Sequence, residues 1–214
     1  MATPRAPAPL PPAPELDALV ARTAGPQPWR KAFHAFNALW VAGLVALLDL
    51  SDVVVLSVLG GVVALLLTAD LLRLRHQRSN ELFFRAFASF ASPREAKGIA
   101  SSTWYALGLL LTFAVFPRDV AISSVLVMGL GDPVAGYFGR RFGRRPFLGG
   151  TLEGSLAFLL VTSAVLLARH PAPAALAASA LSALAERRSW PLDDNLAVPL
   201  ACGATLVVVQ LLLG

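Results

Sequence analysis

Seven apolar segments divide this chain of 214 residues, with approximate cores at 33–49, 53–72, 99–116, 119–138, 152–168, 172–186 and 196–213. A helix needs roughly 20 apolar residues, ~17 at the low end, to cross the hydrocarbon of a bilayer. The sixth segment is short and alanine-rich; the others are close to that length. Composition agrees, since 56% of residues are hydrophobic, 14% are charged and the mean hydropathy is +0.66. A soluble domain of this size carries more charge. The expected fold is therefore all-α: a polytopic integral membrane helical bundle of about seven transmembrane helices, rather than two soluble domains.

The cations give an orientation. With the N-terminus inside, Arg5, Arg22, Arg30 and Lys31 precede the first segment. Arg73, Arg75, Arg78, Arg85, Arg94 and Lys97 follow the second. Arg140, Arg141, Arg144 and Arg145 follow the fourth, and Arg187 and Arg188 follow the sixth. Only Arg118 and Arg169 of the 18 Lys and Arg residues are left for the other side. Such asymmetry places the N-terminus in the cytoplasm. The net charge of +5 and the pI near 10.3 thus reflect loop composition, not a nucleic-acid surface.

Residues 1–28 read as a proline- and alanine-rich disordered segment, with a short interfacial helix over Glu15–Arg22. Residues 29–214 form the membrane domain. No cationic, apolar and small-residue succession marks a cleaved signal at the N-terminus. The stretch 73–98 carries Leu82, Phe83, Phe84, Phe87 and Phe90, which suits an amphipathic helix lying on the membrane. A single cysteine, Cys202, rules out an internal disulfide and a cysteine-based zinc cluster. The chain also lacks GxxxxGK[ST], HExxH and GxSxG.

The chemistry concentrates between Gly129 and Phe158. Asp132 lies ~10 Å inside the end of the fourth segment at the rise of an α-helix, and a carboxylate at that depth is a functional candidate. Pro133 disfavours helical backbone at Asp132, so a broken helix lining a cavity is expected there. Gly136, Gly139, Arg140, Arg141, Gly143, Arg144 and Arg145 follow. Glycines admit a ligand close to the backbone, and arginine forks match phosphate oxygens. Thr151, Glu153, Gly154 and Ser155 then open the fifth helix, whose free amides suit a phosphate. Glu153 and Asp132 are the expected magnesium ligands, because magnesium takes one or two carboxylates plus phosphate oxygens. Smaller polar groups sit at the same ends of other segments: Arg30, Lys31 and His34; Asn80; Arg94 and Glu95; Glu186; and Asp193, Asp194 and Asn195.

Five of these elements, in order, resemble the polyprenol kinase family, which includes dolichol kinase, phytol kinase and CTP-dependent diacylglycerol kinase. Arg30-Lys31-Ala32-Phe33-His34 resembles its opening RKxxH, and Arg94-Glu95 with Ser102-Thr103 its acidic segment before a small-residue helix. Gly131-Asp132-Pro133-Val134-Ala135 followed by Gly139-Arg140 and Phe142-Gly143 resembles GDxxA…GRxFG. Leu152-Glu153-Gly154-Ser155 resembles SLEGS, and Glu186 with Asp194-Asn195 and Pro199 resembles the closing E…DNLxxP. One departure stands out: the family's Lys-Ser before LEGS is Gly150-Thr151 here. A similar acid–arginine layout occurs in CDP-diacylglycerol synthases.

The resemblance implies a multi-pass membrane enzyme that transfers a phosphoryl group from CTP, with magnesium, to the hydroxyl of a lipid alcohol on the cytoplasmic face. Its implied catalytic residues are Asp132, Glu153, Glu186, Asp194 and Asn195. Gly131, Gly139, Arg140, Arg141, Arg144, Thr151, Gly154 and Ser155 would hold the nucleotide, with Lys31, His34, Arg94 and Glu95 as further candidates. A cytidylyltransferase making a CDP-lipid, and a non-catalytic lipid-binding or transport relative, are the alternatives.

Overall fold

The computed structural model describes residues 15–25, 27–188 and 192–213, so the proline-rich stretch 2–14 and Pro26 lie outside the described residues. The elements run α1 (Glu15–Arg22), α2 (Pro28–Leu47), α3 (Asp52–Arg75), α4 (Gln77–Ala86), a 3₁₀ turn (Pro93–Ala96), α5 (Ser101–Val115), α6 (Arg118–Phe142), β1 (Pro146–Phe147), β2 (Gly150–Thr151), α7 (Leu152–Leu167), α8 (Ala172–Arg188) and α9 (Asp194–Leu213). Each of the seven apolar segments coincides with one helix. By length and composition α3, α6 and α9 are long and apolar enough to cross a membrane, while α5 and α7 are shorter apolar helices. The outside of the bundle is apolar as well as its interior: Leu65, Leu160, Leu211 and Leu212 are all at least 70% exposed. An apolar exterior of this kind is what lipid, not water, would solvate.

Helix α6 is the centre of the bundle and packs against α2, α7 and α9. Its buried Val125 and Val127 share one core with Phe158, Leu166 and Leu206. Small residues set the spacing. A Cβ at Gly129 would overlap Cβ of Ala38 on α2, and one at Gly131 would run into the Phe158 ring on α7. Close backbone approach through glycine is how helices gain van der Waals contact where the solvent is as apolar as the side chains.

The expected break at Asp132-Pro133 does not occur. Helix α6 continues through Pro133 to Phe142. Proline removes a single backbone donor and crowds the carbonyl four residues earlier; here that residue is Gly129, and packing on three sides holds the helix in register. Asp132 is consequently a side chain on the wall of a continuous helix, not the cap of a half-helix.

Alternation of direction brings the start of α2, the end of α3 and the starts of α5, α7 and α9 to one end of the bundle, together with the ends of α6 and α8. The far end holds the two remaining arginines, each neutralised: Arg118 contacts Asp49 at 2.6 Å and Asp52 at 3.2 Å, and Arg169 pairs with Asp119. His170 Nε2 lies 2.8 Å from Ser123 Oγ there, and Gln210 reaches His170 Nδ1.

The amphipathic helix α4 is present, and its anchor was hidden in the sequence. Arg73 reads as a loop cation but is buried at the end of α3. It pairs with Asp70 at 2.6 Å and donates to Asn80 Oδ1, Glu95 O and Gly98 O. Asp70 also accepts from Ala100 N and Thr103 Oγ1. A buried ion pair is tolerable when its remaining hydrogen-bonding capacity is filled, as it is here. This network fixes α4 and the 3₁₀ turn against α3 and α5.

Candidate active site

The face of α6 that carries Asp132 also carries Gly136 and Gly139, since residues four and seven apart fall on one side of a helix. Lys31 of α2 lies over this strip. Its Nζ donates to Asp132 Oδ1 at 2.7 Å, and a Cβ at Gly136 would overlap it. The same Cβ would come within 3.2 Å of Arg140 Nη1, so Arg140 folds back toward Lys31. At Gly139 the neighbour is Thr151 Oγ1, at 2.9 Å from an added Cβ. The result is a glycine-floored strip with cations and hydroxyls along its edges.

The start of α7 closes the strip. Residues 146–151 form a two-residue hairpin with Pro146 opposite Thr151, and Leu148 and Gly149 both have positive φ. That is the backbone a type I′ turn requires. The hairpin delivers Thr151 as N-cap of α7, where its hydroxyl accepts from Gly154 N at 3.2 Å.

The residue the sequence reading missed as a site group is Arg187, at the end of α8. Its Nε donates to Ser155 Oγ at 3.0 Å and lies 2.7 Å from Glu186 Oε2. Its guanidinium occupies the space a side chain at residue 150 would take, because a Cβ at Gly150 would overlap Nη1. The only sequence signal was the glycine pair Gly150 and Gly154 opposite an arginine on a different helix, which no single-chain motif reports.

Carboxylates gather on the other side of Asp132. Asp132 lies near enough for its charge to act on both Glu186 and Asp194, and Lys31 acts on Glu186 as well. Glu186 is half-buried, and its Oε2 has the Arg187 guanidinium as its ion-pair partner. Asp194 Oδ1 accepts from Asn195 N and Nδ2. Asp193 does the capping work: it accepts from Asn195 N and Nδ2 and holds Arg94 at 2.7 Å.

Arg94 and Glu95 tie helices together. Arg94 donates to Ser101 Oγ and joins α5 to the start of α9. Glu95, buried, accepts from Ser92 and Ser101 and faces Arg30 at 3.6 Å. His34 stacks on Tyr105 with ring centroids 4.5 Å apart, and the Tyr105 hydroxyl donates to the His34 carbonyl.

Three sequence expectations fare differently. Gly131 faces Phe158 in the helix packing, away from the strip. Arg141 and Arg144 line an outer cavity of about 490 Å³ with Phe142, Gly143 and Glu153. The Glu153 carboxylate accepts from Arg145 N at 3.4 Å, and Asp132 is engaged with Lys31. Among the described residues no three His, Cys, Asp or Glu side chains form a ready-made metal cage.

Three curated proteins, all named CTP-dependent diacylglycerol kinase 1, are similar to this chain. The protein from Eremothecium gossypii is 31% identical over 136 residues, 62% of this chain and 42% of its own. That from Saccharomyces cerevisiae is 29% identical over 100 residues, 45% and 34%. That from Schizosaccharomyces pombe is 24% identical over 164 residues, 67% and 75%. The chain spans less than half the length of the first two. No protein-family model matches it, and no solved structure does. The chain is thus similar in sequence to CTP-dependent diacylglycerol kinases, in keeping with the resemblance of its five ordered elements to lipid kinases.

Proposed function

We propose that the chain is a multi-pass membrane enzyme that transfers the γ-phosphoryl group of CTP to the hydroxyl of a lipid alcohol on the cytoplasmic side, its seven long helices each crossing the bilayer. The observation that carries this reading is the glycine-floored strip on α6 between Lys31, Arg140 and Arg187. Phosphoryl transfer asks mainly for positioning and charge neutralisation. Three cations and the Thr151 and Ser155 hydroxyls along one backbone-accessible strip supply both. The names of the similar proteins support CTP as donor and a diacylglycerol-like acceptor.

In the reaction the lipid oxygen forms a bond to the γ-phosphorus as the bond to the β,γ-bridging oxygen breaks, CDP leaves, and the hydroxyl proton is released to solvent. Lys31, Arg140 and Arg187 hold the phosphate oxygens, with Arg141, Arg144 and Glu153 in the outer cavity toward the nucleoside. Asp194 and Glu186 support the site around Asp132, and Asn195 keeps Asp194 in place.

Magnesium fits this donor set as a guest of the nucleotide. Asp132 and Glu186 carry hard oxygen donors, and magnesium is usually bound by one or two carboxylates plus phosphates. It would neutralise phosphate charge. Asp132 would hold it together with Glu153 or with a carboxylate of α8 or α9. Chelation of divalent cations is expected to abolish turnover.

Purified protein given CTP labelled at the γ-phosphate and a panel of lipid alcohols tests the proposal. Label in the lipid is expected. Label in pyrophosphate would identify a cytidylyltransferase instead, and no turnover with any lipid alcohol would leave a binding protein.

A further inference from the structure

A second cavity, about 520 Å³, lies between α3 and the α4 segment, and no role has been given to it. Its volume is within the range of small-ligand pockets, ~300–1,000 Å³. Leu65, Leu66 and Ala69 of α3 form one wall, and Phe83, Phe87 and Phe90 form the other. The walls are mostly apolar; Arg30, His34, Glu95 and Ser101 give it a polar inner end, and the mutually paired Asp70 and Arg73 also border it.

We propose that this cavity holds the apolar chain of the lipid alcohol next to its hydroxyl, with the hydroxyl at the His34 end. The assignment rests on the lipid-kinase reading and locates that reading's second substrate. Three observations carry it. First, the outer wall is continuous with the exposed apolar surface of α3: Leu65 is 70% exposed and Leu71 and Leu72 about half. A chain already in the bilayer can therefore enter sideways without crossing water. Second, the polar end suits a neutral head. Arg30 faces Glu95, so the two charges offset, and an anionic phosphate or carboxylate head finds no unpaired cation there. Third, the cavity ends beside the phosphate strip. His34 lines it one helical turn from Lys31, and Lys31 is the partner of Asp132. The His34 ring makes no hydrogen bond to protein among the described residues; it stacks on Tyr105 and is left to meet a hydroxyl.

The rigid part of this slot is the far wall. The buried Asp70–Arg73–Asn80 network fixes α4, and the Arg73 guanidinium lies 4.3 Å from the centre of the Phe83 ring. A cavity of this size encloses part of one chain, so the remainder of a long or two-chain lipid stays in the bilayer.

The test uses the full chain in lipid nanodiscs and a diacylglycerol bearing a photoactivatable diazirine near the glycerol end of one acyl chain. Adducts are expected on residues 65–69 and 83–90. Ala69→Trp, at an exposed position, is expected to fill the slot: adducts there fall, the lipid KM rises by about tenfold or more, and the CTP KM is unchanged. Phe87→Ala, which widens the slot, should shift chain-length preference in favour of bulkier tails. Adducts spread over the outer faces of α6 and α9, or an Ala69→Trp variant with wild-type lipid KM and labelling, would overturn the assignment. Adduct mapping needs no turnover, so a chain that binds the lipid in this slot but transfers no label would refute the kinase reading and leave the slot standing.

Discussion

At residue 150 it is the absence of a side chain that admits a cation to the start of α7. Arg187 reaches there from α8, donates to Ser155 and fills the space above Gly150 and Gly154. If it binds phosphate, Arg187→Ala should lower kcat/KM for CTP about a hundredfold, as removal of one preorganised donor does elsewhere. Gly150→Lys in that background should restore part of the loss, because the vacated space lies directly over residue 150. Gly150→Lys alone crowds Arg187 and should not help. Steady-state kinetics of the four proteins decide the matter: an Arg187→Ala variant with unaltered kcat/KM would remove this residue from the site. Gly131 offers the opposite contrast. It lies in the motif, yet its environment is the Phe158 ring. Gly131→Ala should cost stability, about 1–3 kcal/mol as overpacking does, with the CTP KM unchanged; a raised KM at wild-type melting temperature would return it to the nucleotide site.

Among the elements, those legible in the sequence were those with long periodic or apolar signals. All seven segments became helices, and the phenylalanine-rich stretch became α4. The continuous α6 was not legible, because the local preference of the residue before proline points to a break and only the packing of α2, α7 and α9 overrides it. The hairpin was likewise missed, since a two-residue pairing leaves no alternation to read. The Asp70–Arg73 clamp was hidden by its own charges, which at the end of an apolar segment look like an orientation signal. Its removal has a definite consequence. Arg73→Ala leaves Asp70 buried without its counter-ion, a loss of about 3–5 kcal/mol for pairs of this kind. Thermal unfolding in detergent should fall accordingly, and limited proteolysis should open the segment between α4 and the 3₁₀ turn. Unchanged melting and protection would show that α4 is held by its phenylalanines alone.

For the whole molecule, the sequence indicated which groups share an end of the bundle but not which touch. Alternating helices carried Lys31, Asp132, Glu186 and Asp194 to one end, whereas the pairing of Asp132 with Lys31 depends on helix rotation, which spacing along the chain does not encode. The two ends should also be separable by topology. The single native cysteine, Cys202, is buried, so introduced cysteines report cleanly. In sealed vesicles a membrane-impermeant maleimide should label only one of Arg188→Cys, at the site end, and Ala168→Cys, at the far end, until the membrane is permeabilised. Labelling of both from the same side would refute the spanning arrangement. The central claim is that CTP phosphates lie on the glycine floor of α6. Gly136→Leu tests it most directly, because its side chain would take the space beside Lys31 and Arg140, whereas Gly60→Leu projects into open space on α3 and serves as control. Binding of labelled CTP to the two purified variants is the measurement. Loss of binding by Gly136→Leu alone, at melting temperatures close to wild type, is the expected result; wild-type CTP binding by a folded Gly136→Leu protein would contradict the account.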